Sequence, residues 1–435
     1  METKQIQHWM NSYSVKMVVV SVLALFLLIP TVWIQNIIKE RISLKENIEN
    51  ELAGQWGKRQ TISGPVLNVP VIYNQPNLQE QGTVERKTIV HFLPEVLYND
   101  ANIKPDVRNR GIYKIPVYQT HAAIKGSFSN FDIEKLNIEP TKILWNEAYF
   151  TVGITDLRGI KDSVSLKFNT TKANVDPGVA DNDLFASGIT VKADNLTGVG
   201  PIPFEMQFTL NGSSGFWVEA LGKTTEVKMN STWANPSFVG SFLPTERKVD
   251  KNGFTAQWIV THLNRNFPQQ WTGKSFDTSD AQLGVSLLLP VDHYQKSTRS
   301  VKYAILFIAL NFIVFFFIEM RNKKRIHPFQ YSLVAFALLL FYTLLTSLGE
   351  QIGFNAAFAL SALAITTLVS WYAHSIVENK KATISITGLQ LGLYAFLFTI
   401  LQLQDYALLM GSIGLFIILI IIMQASKKVK WYNEN

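Results

Sequence analysis

Residues 17–38 read MVVVSVLALFLLIPTVWIQNII, and this apolar run decides how the rest of the chain is read. A helix needs about 20 mostly apolar residues to cross the hydrocarbon core of a bilayer. Further runs of that kind lie at 301–318, 330–348, 353–372, 384–401 and 406–423, all in the last third. Backbone groups in lipid have no water to bond, so each run is expected to be helical. A long stretch of ordinary globular composition separates the first run from the second. The expected layout is one span, a large domain and then a bundle of spans, six in all.

Orientation follows from Lys and Arg, which short loops keep on the cytoplasmic side. Arg321, Lys323, Lys324 and Arg325 follow the second span, Lys380 and Lys381 the fourth, and Lys427, Lys428 and Lys430 the last. The alternate loops hold Glu350 and Asp405 and neither Lys nor Arg. Both ends are therefore expected inside, with 39–300 outside. Lys4 and Lys16 precede the first run as they would in a signal peptide. Its apolar core is longer than a signal's, however, and no A-x-A-like site follows, so an uncleaved anchor is expected. Pro30 should kink it, because a proline removes one helix hydrogen bond. Trp33, Tyr303, Tyr331, Trp371-Tyr372 and Trp431-Tyr432 flank the runs as interfacial anchors do.

The net charge of +7 loses its suggestion of a nucleic-acid partner once it is divided. Between Lys39 and Ser300 there are 28 basic and 27 acidic residues, so the excess belongs to the spans and their flanks. The basic balance reports membrane topology, and no nucleic-acid pattern accompanies it. The chain has no cysteine. Thiol catalysis, Cys-based zinc sites and iron–sulfur clusters are excluded, while a domain this large can fold without disulfides.

Residues 39–56 carry charges at helical spacing and should extend the first span as a stalk. Beyond them the signal is β: 66–73, 83–93, 112–120, 143–154, 163–168, 204–210, 224–231 and 255–261 are rich in β-branched and aromatic residues. The stretch 172–188 is rich in Asp, Asn and Gly and is expected to be an exposed loop. Strands without interleaved long helices do not build a parallel α/β sheet. The fold class expected is a polytopic α-helical membrane protein of six spans with a large β-rich, sandwich-like domain between spans one and two.

A series of motifs then appears in fixed order. Gly64-Pro65-Val66-Leu67 and Val69-Pro70 come first, followed by the run STWANPSFVGSFLP at 231–244 and GFTAQW at 253–258. Leu263-Asn264-Arg265, Phe267-Pro268-Gln269, Pro290-Val291-Asp292-His293-Tyr294 and Lys302-Tyr303-Ala304 continue it. The series closes with Ile326-His327-Pro328-Phe329-Gln330-Tyr331, Phe341-Tyr342 and Ser347-Leu348-Gly349-Glu350. This order, across nearly the whole chain, resembles the CreD family of bacterial inner-membrane proteins, described as cell-envelope integrity proteins. Gly349 stands where the family pattern usually has Ser. The resemblance implies a multi-pass inner-membrane protein with a periplasmic domain, part of an envelope stress response linked to colicin tolerance and β-lactams. It implies no catalytic residues, ligand or cofactor.

Candidate sites are few. Trp233, Trp258 and Trp271 with Arg265 could form a stacking platform for an envelope glycan or peptide. The favoured reading is that they are core and hairpin packing, with Arg265 paired to an acid. Asp292 and Tyr294 could lock the outer domain to the bundle or simply form a juxtamembrane turn. Glu350 could pair with a basic residue of the outer domain or sit hydrated at the interface. His327-Pro328 reads as a helix start. Asn311 is expected to bond a neighbouring helix, and Gly353, Ala357 and Ser361, with Gly388 and Gly392, to let helices pack closely. Ionisable side chains are absent from mid-span, which argues against ion-coupled transport.

No G-x-S-x-G, H-E-x-x-H or Walker loop occurs, and the seven His have no ligand spacing. The sequence therefore points to a non-enzymatic envelope-integrity protein with no cofactor and no metal. Its partners are the lipid bilayer and an envelope protein or glycan. The alternatives are a transporter or flippase of an envelope compound and a membrane-anchored envelope hydrolase.

Overall fold

A computed structural model of the chain describes residues 13–76, 83–132, 136, 140–169, 171–194, 196–198, 200–287, 293–322, 326–403 and 406–427. The chain divides into a helical unit, 1–45 with 291–435, and a β unit, 46–290.

In the helical unit, Val18–Trp56, Pro328–Ile352, Phe354–Val377, Lys380–Gln402 and Ala407–Gln424 are each long and apolar enough to cross a membrane. The second expected span, 301–318, falls almost wholly on one helix, Ala304–Asn322, which a separate polar helix precedes. His293–Lys302 and Ala304–Met320 meet at a 46° bend, and they make a sixth span only if the pair is counted as one. The cause lies in the residues. HYQKSTRSVK is polar, and the Tyr303 N–H turns back to the Ser300 carbonyl at 3.0 Å before the apolar helix begins. The first helix breaks at Leu27, between Tyr13–Phe26 and Leu28–Trp56. That is one turn ahead of Pro30, whose ring leaves the carbonyl four residues back without its donor. The Leu27 carbonyl accepts the Thr31 hydroxyl at 2.8 Å as well as the Thr31 N–H at 3.4 Å.

The starts and contacts of the helices follow from local chemistry. His327 caps Pro328–Ile352: its Nδ1 accepts the Phe329 N–H at 3.2 Å, and its own N–H donates to the Gln330 side chain at 2.8 Å. Phe341, Phe358, Phe307 and Tyr394 pack ring against ring. Two packing expectations are corrected. Asn311 donates to Phe307 of its own helix at 2.8 Å instead of to a neighbour. Ala357 and Ser361 are fully buried, but a Cβ added at Gly353, Gly388 or Gly392 would meet nothing within 4 Å among the described residues, so those glycines mediate no close approach there.

Two mixed sheets form the β unit. Strand β1 (Gln60–Pro76) is the hub of the first, flanked by Tyr149–Ile154 on one side and, in parallel, by Gly215–Glu219 on the other. Strand β2 (Thr83–Phe92) pairs with its second half, and Gln270–Thr272 pairs with β2. The second sheet is built on the hairpin of β3 (Val96–Arg110) and β4 (Tyr113–Phe128). Ile202–Ser213 lies beside β4, and Thr224–Ser231 lies parallel to β3. One hydrophobic core draws on both sheets, with Val69, Val71, Phe92, Phe150 and Val152 from the first and Leu97, Ile124, Phe204 and Val227 from the second.

The stretch 172–188 is more than a loop. It holds the short strands Thr171–Ala173 and Val175–Pro177, and Phe185 within it is buried.

Candidate functional site

Strand periodicity builds the most unusual cluster in the β unit. Successive side chains alternate between the faces of a sheet, and directly opposed residues share a face. Leu67, Val69 and Val71 of β1 enter the core with Val90 and Phe92 of β2. Asn68 and His91 must then face the other way. Register places Asn68 opposite both His91 and Tyr149, and His91 opposite Trp271. The result is one row across four strands: Tyr149, Asn68, His91, Trp271.

The hydrogen bonds of this row fix its chemistry. The Asn68 amide nitrogen donates to Thr151 Oγ1 at 2.8 Å and to the carbonyls of Val66 and Tyr149 at 3.4 Å. Carbonyls only accept, so the amide oxygen must be the atom facing His91 Nδ1 at 2.7 Å. That assignment places a proton on Nδ1. His91 is fully buried, and its Nε2 has no hydrogen-bond partner among the described residues. It faces Asp183 Oδ2 at 3.8 Å, beyond hydrogen-bonding distance. Burial pushes the His91 imidazole below its ordinary pKa, against the opposing pull of Asp181 and Asp183.

The two carboxylates arrive from the segment between Val175–Pro177 and Gly188–Lys192. Gly178 and Gly188 close its base through an N–H to carbonyl bond of 2.9 Å, and Phe185 anchors it. A Cβ at Gly153 would lie 2.9 Å from the Phe185 ring, so only glycine lets that ring settle there. Asp181 accepts the Tyr149 hydroxyl and, at 3.0 Å, the Asp183 N–H. Burial, with the bond to Asp181, raises the Tyr149 pKa far above its ordinary value. One ligand atom from each of His91, Asp181 and Asp183 falls within 4.8 Å of the others. A cleft of about 570 Å³ opens beside them, lined among others by Asp183, Phe185, Lys274, Phe276 and Asp277.

The residues singled out in the sequence lie elsewhere or in supporting positions. Trp258 is fully buried, and its indole N–H donates to the Phe242 carbonyl at 3.1 Å. Trp271 is buried against His91, Phe267 and Phe276. Trp233 is half-buried and donates to the Asn235 carbonyl at 3.1 Å. Arg265 has carbonyls where an acid was expected. Its guanidinium donates to Leu221 and Phe267 oxygens at 3.1 Å and to the Gln269 side chain. Burial pushes its pKa down to about 10. Arg265 and Trp271 share Phe267 as a neighbour. In the helical unit the Tyr294 hydroxyl donates to Glu350 at 2.9 Å, and Arg41 lies 3.8 Å from the same carboxylate oxygen. Asp292 lies outside the described residues.

Sequence reasoning passed over His91, Asn68, Asp181 and Asp183. The available signal was a lone polar residue inside an apolar run, in Leu67-Asn68-Val69 and again in Val90-His91-Phe92.

Comparison with known proteins gives this architecture a family. The family model described as Inner membrane protein CreD matches residues 12–432. A curated relative, Inner membrane protein CreD of Escherichia coli (strain K12), is 30% identical over 421 residues, covering 94% of this chain and 91% of the relative. A match of that extent takes in the helical unit and the β unit alike, and the chain belongs to the CreD family of inner membrane proteins.

Proposed function

We propose that this chain is a non-enzymatic envelope protein that captures an envelope component in the cleft of its β domain. In this reading both termini are cytoplasmic, and the two sheets pack face to face as a sandwich in the periplasm. The alternation of basic and acidic loops supports the orientation. The core shared by both sheets supports the sandwich.

The cleft is the observation that carries the functional reading. Its volume lies in the usual range for ligand sites, about 300–1,000 Å³. Phe276 offers an aromatic face, while Lys274, Asp183 and Asp277 offer charges of both signs. That lining suits a glycan bearing a short peptide, whose sugars stack and whose amino and carboxylate groups pair. Trp258 and Trp271 then serve in packing, not in contact with the ligand. A photo-crosslinking residue at Phe276, which is 39% exposed, tests this in intact cells. Adducts with an envelope component are expected there and not from the exposed Leu263, which does not line the cleft. Adducts from both positions alike, or from neither, would overturn the reading.

A second reading, movement of an envelope compound through the helical unit, has one observation behind it. The polar atoms of Tyr342, Ser361, Thr366, Gln390 and Tyr394 are buried there without hydrogen-bond partners among the described residues. Substrate movement in proteoliposomes above empty liposomes would favour it.

A further inference from the structure

We propose that His91, Asp181 and Asp183 bind a divalent transition-metal cation, with zinc as the best fit to the donor set. One buried ring nitrogen stands beside two carboxylates without a hydrogen bond. His91 Nε2 is buried, has no hydrogen-bond partner among the described residues and lies 3.8 Å from Asp183, with a ligand atom of Asp181 also within 4.8 Å. With the proton held on Nδ1 by Asn68, a neutral ring directs the Nε2 lone pair at carboxylate oxygen. Lone pair against lone pair is repulsive, and an unpaired buried acceptor is costly. A cation between them satisfies all three groups at once.

The surroundings match what such a cation requires. A histidine ligand is commonly fixed by a hydrogen bond from its other ring nitrogen, which selects the tautomer and aims the ring. Asn68 does this for His91, and Thr151 in turn holds Asn68. Tyr149 and the Asp183 N–H hold Asp181 in the same manner. Four-coordinate zinc with bonds of about 2.0–2.2 Å sets its donor atoms about 3.4 Å apart. His91 and Asp183 stand at 3.8 Å and all three donors lie within 4.8 Å of one another, so the two half-exposed Asp side chains would draw in on binding. One nitrogen and two carboxylate donors suit zinc or manganese better than calcium or magnesium, which favour oxygen throughout. Asp183 also lines the cleft, which leaves a coordination position open on that side for water or a ligand oxygen. The inference stands whether or not the cleft takes an envelope component.

The test uses full-length protein in detergent, with any tag removed and metal stripped by chelator. Zinc chloride is titrated in by calorimetry, and thermal melts are recorded with and without it. The wild type is expected to bind about one zinc and to melt at higher temperature with it. Asp183→Asn and Asp181→Asn preserve shape at half-exposed positions. Each is expected to weaken zinc binding at least about tenfold, to lose the zinc-induced melting shift, and to melt no lower than the metal-free wild type. His91→Gln should abolish binding, but its burial makes the two Asp variants the decisive ones. The proposal is overturned if the wild type shows no stoichiometric zinc binding, or if both Asn variants bind zinc as tightly as the wild type. A calcium response equal to that of zinc would also contradict it, since the imidazole would then have no role.

Discussion

Glu219 is a buried carboxyl group whose oxygens accept from Thr278 at 2.9 Å and Gln282 at 3.1 Å. Burial raises its pKa despite those bonds. A group with a raised folded pKa holds its proton more tightly folded than unfolded. Stability is then lost as pH climbs above the unfolded value, about 4.3 for Glu, until the folded group has ionised as well. Glu219→Gln removes that loss, so its melting temperature should gain on the wild type's between about pH 4 and pH 8. A margin that is constant or shrinks across that range would contradict the assignment. Trp258 makes a plainer case, since truncating a fully buried indole removes its contacts and strands the Phe242 carbonyl. Trp258→Ala should cost about 3–5 kcal/mol in denaturant unfolding of the β unit. At this scale the sequence was readable for packing but not for the polar cluster. Alternation shows that Asn68 and His91 face away from Leu67 and Phe92, yet only register shows that they face each other. Register is a property of the folded pairing. Asp181 and Asp183 were hidden by a composition that reads as solvated loop, because nothing local says that the segment folds back onto Tyr149.

Among the elements, helix packing separates two kinds of small residue. Ala357 is fully buried, whereas a Cβ at Gly388 would meet nothing within 4 Å among the described residues. Ala357→Leu should overpack the bundle by about 1–3 kcal/mol and lower the level of protein in the membrane. Gly388→Ala should be neutral or stabilising by up to about 1 kcal/mol, since alanine favours helix over glycine. Quantitative membrane blots of the two variants check both, and equal losses would show that the small-residue positions are interchangeable after all. The spacing of Gly388 and Gly392 looked like close-packing chemistry, but spacing alone does not say which face of a helix is covered. Strand β3 marks the opposite limit. VLYNDANIKPDVRNR has little β propensity, and its strand is held by β4 on one side and Thr224–Ser231 on the other. Tertiary pairing overrides a weak local preference there. In the stronger segments, such as β2 and Gly253–Thr261, propensity and pairing agree, and those strands were legible from sequence.

For the whole molecule, the long apolar helices and the two-sheet β unit fit the layout expected from hydropathy, because lipid imposes a length and composition that few sequences mimic. The bend between Lys302 and Ala304 was not legible, since it depends on a polar helix joining an apolar one without a loop. The account rests on which compartment the β unit faces, because its cleft can meet an envelope component only from the periplasm. A chain without cysteine permits a clean measurement: single cysteines labelled in intact cells by a maleimide that cannot cross the inner membrane. Lys251→Cys, at an exposed turn of the β unit, should label in intact cells with the outer membrane permeabilised. Lys380→Cys, exposed at the start of Lys380–Gln402, should label only after the inner membrane is opened. The reverse pattern, with Lys380→Cys labelled in intact cells and Lys251→Cys protected, would contradict the account.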